Sequence, residues 1–513
     1  MGRCAIKKTV FIKNAALLTA TSLLLRFAGI IFKIWLSGKI GSVGIGLYQL
    51  IFSVYVLAST FATSGISTAV TRLCAEQLAQ GNHKNCKQIL KKAITLTLII
   101  ATVSAVIIYF GATFIGGKIL GDIRTVKAIK TLPLSLPFMG FSACIRGYFI
   151  ARRKVLPNSL GQIFEQSCRI LIIVCFINVF IQNGLTACCF GIILGDAVAE
   201  ILGFLWLYLS YIVDINKAKN QNIEKQSGIL RKILHITVPI TSGRYLNSLL
   251  RTVENVLVPK NLAKYRFSGT NALSQFGMIK GMALPLLFFP SAILNSVSTL
   301  LIPEISEAVT NKKNRTIKNA TEKIIKITLL CGILCGSLFF IGGEKLGVLV
   351  YKSHDVGFLL KVLSPIVPLM YLDSICDGLL KGLDQQIFTF RTAVSDSAIR
   401  IILILIFLPK FGLNGFIGIM YFSNLLTCSL NVWRLIKISG AKINILSDLC
   451  LPLLASITIC SVISTVLNLL DVTNILVYIM FLIIFSVGIY LWLLFYLEII
   501  PQKPLKIVLK GKK

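Results

Sequence analysis

The chain has 513 residues, 55% of them hydrophobic and only 14% charged, with a mean hydropathy of +0.82. A water-soluble domain carries nearer a quarter of its residues charged, so a soluble globular protein is excluded and a polytopic membrane protein indicated. The formal charge of +33 raises nucleic acid as a partner, but the cations fall in short loops between apolar runs, and nucleic acid is therefore excluded.

The expected fold class is an all-α polytopic membrane protein with about fourteen spans. They run near residues 14–36, 46–71, 93–115, 129–150, 160–182, 186–212, 234–258, 273–302, 324–343, 358–380, 391–408, 412–434, 447–470 and 475–498. The first run is too long for a cleavable signal and lacks an A-x-A-like site. Pro133, Pro137, Pro285, Pro290, Pro365 and Pro368 fall inside spans, where neighbouring helices can re-satisfy the freed backbone groups. The 14 cysteines are scattered, mostly in apolar runs, and His83, His235 and His354 are isolated, so no metal site is expected.

Loop charge sets the orientation. Counting loops on alternate sides, one side collects about 33 Lys and Arg and the other about 12, which places the first side and both termini in the cytoplasm. Loops near Asn82 and Lys312 are expected inside, Lys264 and Ser353 outside. The polar, basic stretch 214–233 divides the chain. The expected organisation is an N-terminal lobe at 1–213, a linker at 214–233, a second lobe at 234–440, two further spans at 441–498 and a basic tail at 499–513.

Self-comparison supports two related halves. At an offset of 231 residues Pro137 matches Pro368, Met139 matches Met370, Gly147 matches Gly378, Glu76 matches Glu307, and Glu165 with Arg169 matches Asp396 with Arg400. In the first span of each half the offset is 218, and there Arg26 matches Arg244 and Lys33 matches Arg251. Six spans separate equivalents, so the halves point the same way across the membrane. Parallel repeats of this kind are a transporter architecture with the site between the halves.

Charges inside spans are the candidate site, because a charge at mid-bilayer costs about 2.5–3.5 kcal/mol on insertion scales. Arg26 and Lys33 are seven residues apart, about two helical turns, and so share a face. Glu165–Arg169, Arg251–Glu254 and Asp396–Arg400 have the spacing of intrahelical ion pairs. Arg26, Lys33 and Arg244 have no local acid. Unpaired cations suit an anion, and an arginine fork suits phosphate because it grips two oxygens at once. The expected substrate-binding residues are Arg26, Lys33, Arg244, Arg251 and Arg146. Supporting or coupling roles fall to Glu165, Arg169, Glu254, Asp377, Asp396 and Arg400.

Several stretches carry a resemblance: R-F-A-G-I-I-F-K with I-G-S-V-G-I-G-L-Y-Q-L in the first hairpin, I-R-G-Y-F and Q-I-F-E-Q-S-C-R-I in the fourth and fifth spans, V-P-I-T-S-G-R-Y and L-I-P-E-I-S-E-A in the seventh and eighth. Together they resemble the stage V sporulation protein B branch of the MOP flippase superfamily, the oligosaccharide and polysaccharide-biosynthesis flippases near the lipid II flippase MurJ. The resemblance implies a MOP/MATE-like fold: two six-helix bundles in a parallel pseudo-twofold repeat, a cationic central cavity and two C-terminal helices. It also implies translocation of undecaprenyl-pyrophosphate-linked saccharide, such as the peptidoglycan precursor lipid II, across the bacterial cytoplasmic membrane by alternating access, with no bond made or broken. Arg26 stands where the family's first-helix cavity arginine stands, and Lys33 lies near a second cavity cation. Where MurJ-like members carry further arginines in the second span, this chain has Ser59 and Thr60. No cofactor is expected. The energy would come from a coupling ion, Na+ or H+, or from the membrane potential, and the chain would act as a monomer in the bilayer, in contact with cell-wall synthases. The runner-up is a cation-coupled drug exporter of the same superfamily, for which acids would have to dominate the cavity. A membrane glycosyltransferase is disfavoured because the outer loops are short.

Overall fold

The structure is a computed structural model. It describes residues 2–63, 65–80, 85–216, 228–265, 269–310 and 313–497, with side chains described from residue 16 onward except at 216, 297–304, 306 and 307. The expected loop positions Asn82 and Lys312, most of the 214–233 linker, the tail 499–513 and the Glu307 side chain lie outside the described residues.

Among the described residues every regular element is helical. Two compact units form, Met1–Gly277 with Ala393–Phe416, and Met278–Thr392 with Ile417–Lys513. The first unit opens with α1 (Gly2–Thr63), whose 62 residues span about 93 Å at 1.5 Å per residue, far more than one ~30 Å bilayer core. The helix turns at Gly41, whose φ of 66° lies in the left-handed region that glycine adopts without a Cβ penalty. Then come α2 (Ile66–Ala79), α3 (Asn85–Phe114), the short α4 (Val126–Thr131), α5 (Leu136–Ala151), α6 (Leu156–Gln182), α7 (Leu185–Asn216), α8 (Ile229–Lys264) and α9 (Gly269–Phe276). Their core joins α2, α3 and α5 through Val70, Cys74, Ile89, Ala93, Cys144 and Tyr148, with Leu207 of α7 and Ile233 of α8 closing it.

The second unit holds α10 (Leu284–Phe288), α11 (Ser291–Thr310), α12 (Asn314–Tyr351), α13 (His354–Leu363) and α14 (Val367–Gly382). The 54-residue α15 (Gln386–Ser439) bends at Gly412; its stretch Ala393–Phe416 belongs to the first unit and its two ends to the second. The second unit ends with α16 (Leu451–Leu469) and α17 (Ile475–Tyr496). These last two helices pack on α12 through Leu330, Leu334, Cys460 and Tyr490 at one level and Ile463, Tyr478 and Leu482 at another. Lys345 of α12 pins both: its ammonium donates to Asn468 at 2.9 Å and stands 3.2 Å from the centre of the Tyr478 ring.

The sequence repeat reappears in the helix boundaries. Helices α5 and α14 are each 16 residues long and begin and end 231 residues apart, at 136 and 367 and at 151 and 382. Both follow a single 3-10 turn with a proline, Leu132–Leu134 and Ser364–Ile366.

By length and composition, nine helical stretches among the described residues qualify as crossings, or ten if Ile123–Leu134 and Leu136–Ala151, bent by 42°, count as one. The expectation of fourteen differs from this for two physical reasons. Ala16–Ala79 and Gln386–Ser439 each hold two of the expected spans on one helical run. The expected spans 234–258 and 273–302 do not qualify, because α8 carries Arg244, Arg251 and Glu254 at its middle and 273–302 is broken across α9, a π turn, α10 and α11.

Candidate functional site

The intramembrane charges of the first unit sort into two groups. One is a closed network on α5, α6 and α7. Arg146 of α5 places Nη2 2.7 Å from Oε2 of Glu165 on α6. One turn on, Arg169 meets three carboxylates: Glu165 at 3.2 Å, Asp196 of α7 at 3.0 Å and Glu200 of α7 at 3.3 Å. Tyr55 of α1 donates its hydroxyl to Glu200 at 3.3 Å, and Arg169 Nη1 donates to Gln166 at 3.0 Å. Asp196 and Glu200 are buried at 4% and 6% exposure. Gly203 leaves room for Glu165: a Cβ there would stand 3.0 Å from Cβ and Cγ of that acid, which would have to shift. A smaller network lies in the same unit, where Arg400 of α15 meets Asp396 at 2.5 Å and Glu254 of α8 at 3.6 Å.

Four cations form the other group. Among the described residues, Arg26 and Lys33 on α1 and Arg244 and Arg251 on α8 make no ion pair, and Arg26, Arg244 and Arg251 are exposed. Helix α8 is fastened to the second half of α1 by a stripe of neutral contacts. Tyr245 stacks on Phe61 with ring centres 4.3 Å apart and donates its hydroxyl to the Phe61 carbonyl at 3.1 Å. Thr60 donates to Ser248 at 3.4 Å, and Thr252 donates to the Ser53 carbonyl at 3.2 Å. Positions 245, 248 and 252 share one face of α8. Arg244 and Arg251, seven apart, share the face about 100° away, so both flank the α1–α8 seam on the same side. A side held by ring and hydroxyl contacts leaves these guanidinium forks their full set of donors.

Placed against the sequence expectations, Arg146 belongs to the acid network and is no free cation. The helical pairs Glu165–Arg169 and Asp396–Arg400 form. The expected Arg251–Glu254 pair does not: Arg251 is exposed, while the buried Glu254 turns inward and meets Arg400. Asp377 lies in the second unit, bonded to Lys381 one turn along the same helix. Asp196 was missed. Its signal was available, since Asp196 and Glu200 stand four apart in an otherwise apolar run and must face one way. No group of three metal-ligating side chains exists among the described residues.

The fold is shared with solved transporters: a lipid II flippase MurJ in an inward closed conformation superposes with a TM-score of 0.71 at 16% identity, covering 95% of this chain and all of that one. An inward-facing multidrug resistance MATE family transporter of the MOP superfamily gives a TM-score of 0.58 at 14% identity, over 82% of this chain and 98% of that one. A family model, polysaccharide biosynthesis protein, matches residues 11–309, and the chain belongs to that family. Among curated proteins it is 26% identical to stage V sporulation protein B of Bacillus subtilis (strain 168) over 414 residues, 80% of each chain. These relatives and neighbours are named for sporulation or for transport.

Proposed function

We propose that this chain is a flippase for lipid-linked saccharide, carrying a polyprenyl-pyrophosphate-linked sugar, lipid II for peptidoglycan of the spore cortex or cell wall, across the bacterial cytoplasmic membrane. One observation carries the reading: among the described residues Arg26, Lys33, Arg244 and Arg251 stand without ion-pair partners in a unit whose other arginines within the expected spans, Arg146, Arg169 and Arg400, are engaged by acids. A pyrophosphate supplies the missing anions, and the paired forks on α8 suit its oxygens. The acids Glu165, Asp196, Glu200, Glu254 and Asp396 each touch an arginine, which argues against a cationic drug as substrate. Under this reading the repeat halves rock to expose the headgroup to each side in turn, the polyprenyl tail stays in lipid, both termini are cytoplasmic and the chain acts as a monomer, driven by Na+, H+ or the membrane potential.

The test is transport of a lipid-pyrophosphate-linked sugar by purified protein in proteoliposomes, with variants matched for membrane level. Each of Arg26→Ala and Arg244→Ala deletes a charge-assisted contact typically contributing about 1.5–3 kcal/mol, a ten- to hundredfold fall in substrate affinity. Lysine at either position should rescue in part, keeping charge without the fork. Full transport by the Arg26→Ala/Arg244→Ala double variant would overturn the anion-cradle mechanism.

A further inference from the structure

Away from the two charge networks, the first unit carries a cavity of about 430 Å³ at one end of α5, α6 and α7. Its walls are Phe149, Pro157, Trp206, Leu209 and Val213, and its polar groups are Lys154, Ser210 and Asp214. Phe149 is the buried floor, while Leu209 and Val213 form an exposed apolar flank. The polar groups gather where α7 ends and the Arg152-Arg153-Lys154 loop begins, the place where a lipid's tail gives way to its headgroup.

Charge at the mouth is built, not incidental. Asp214 is 7% exposed in its side chain and binds both Arg152 and Lys154, with Tyr148 donating to it at 3.0 Å. Arg152 also donates to the Tyr148 hydroxyl at 2.8 Å and covers that ring. This single carboxylate thus answers two of the three consecutive cations of the loop, Arg152 and Lys154, beside an apolar cavity. Lys154 is half exposed, and one of the ammonium's three donors goes to Asp214. The Ser210 hydroxyl has no hydrogen-bond partner among the described residues. An ammonium with donors to spare, an unengaged hydroxyl and an apolar shaft beneath them match one class of ligand. Basic pockets between spans on the cation-rich side are where anionic headgroups settle.

We infer that this cavity is a binding site for an anionic glycerophospholipid of the leaflet facing the cationic loops, its phosphate on Lys154 and Ser210 and an acyl chain along Phe149, Leu209 and Val213. The site lies outside the Arg26, Lys33, Arg244 and Arg251 set, so it stands or falls independently of the substrate reading.

Trp206 in the wall is the reporter. The other three tryptophans, Trp35, Trp433 and Trp492, are replaced by Phe, and the full-length protein is reconstituted in phosphatidylcholine vesicles. A small fraction of brominated lipid is then added, as phosphatidylglycerol in one series and phosphatidylcholine in the other. Brominated phosphatidylglycerol is expected to quench Trp206 at a several-fold lower mole fraction than brominated phosphatidylcholine. Lys154→Gln should shrink that preference by about fivefold, the contribution of one cation near an anionic lipid surface. Arg244→Ala should leave it intact. Equal quenching by both lipids would reduce the cavity to a non-selective apolar groove and overturn the inference. Relief of quenching by millimolar inorganic phosphate would also overturn it, assigning the site to the free anion. If the single-tryptophan protein fails to fold, native mass spectrometry of the wild-type chain from mixed vesicles decides: retained phosphatidylglycerol that Lys154→Gln loses supports the site, and unselective retention refutes it.

Discussion

Arg169 and Arg244 are the same residue type on long helices of one compact unit, yet they answer opposite questions. Arg169 has three carboxylates within 3.3 Å, while Arg244 stands exposed beside a seam made of a ring stack and hydroxyls. A guanidinium held by three acids has no room for a fourth anion and serves to neutralise its neighbours. One with none is an invitation to a ligand. Under the proposed function, neighbouring acids separate the structural arginines from those offered to the substrate.

The largest effect expected from breaking that contrast is on stability. Arg169→Met would leave Glu165, Asp196 and Glu200 without their shared cation, and stripping one partner from a buried ion pair costs about 3–5 kcal/mol. The folded peak in size-exclusion chromatography after heating should collapse at a markedly lower temperature than for wild type. An unchanged thermal midpoint would show that the α6–α7 network is not what neutralises these acids.

Next comes the mirror experiment. Arg251→Ala removes an exposed, unpaired cation, so stability should stay within about 0.5 kcal/mol of wild type. Affinity for a pyrophosphate-linked lipid should fall by about tenfold or more, as expected for a lost charge-assisted contact of roughly 1.5–3 kcal/mol. Thermal stability and substrate binding measured on the same preparation separate the two arginine classes. A variant that melts early yet binds normally would merge them.

Much of this arrangement was legible in the sequence, and the line between what was and was not is physical. Intrahelical pairs need the 3.6-residue period, so Glu165–Arg169 and Asp396–Arg400 could be read from spacing, although Arg251 and Glu254 share that spacing and do not pair. Contacts between helices depend on rotation and depth, which spacing does not encode. Arg146–Glu165, Arg169–Asp196 and Arg400–Glu254 are all of that kind, and the sequence instead suggested Arg251 for Glu254. The exact count of fourteen spans is not confirmed for a related reason: hydropathy locates apolar runs, but Gly41 and Gly412 bend long helical runs without ending them, and α8 spends its middle on charge.

Glu165→Gln sharpens the comparison from the acid side. Its carboxylate bridges Arg146 and Arg169, so the amide keeps the shape and surrenders the charge. Loss of one buried charged hydrogen-bond acceptor costs about 1–3 kcal/mol, a smaller fall in thermal stability than for Arg169→Met. Transport of the lipid-linked sugar should persist if Glu165 only orients the two arginines. Abolished transport in a variant that is folded and present at matched level would give Glu165 a coupling role.

The smallest effect tests the seam that places the unpaired cations. Tyr245 touches α1 twice, by its ring on Phe61 and by its hydroxyl on the Phe61 carbonyl. Tyr245→Phe keeps the stack and removes one neutral hydrogen bond, a cost of about 0.5–1.5 kcal/mol. Tyr245→Ala removes the stack as well, and aromatic pairs contribute about 0.5–1.5 kcal/mol beyond the area they bury. If the seam fixes the face on which Arg244 and Arg251 lie, substrate affinity should follow the same order, nearly wild type for Phe and clearly weaker for Ala, although neither change touches a charge. Equal affinity for all three proteins, measured by binding of the lipid-pyrophosphate-linked sugar, would mean that the two arginines reach the anion whatever the seating of α8, and that side-chain length sets their geometry more than the helix packing does.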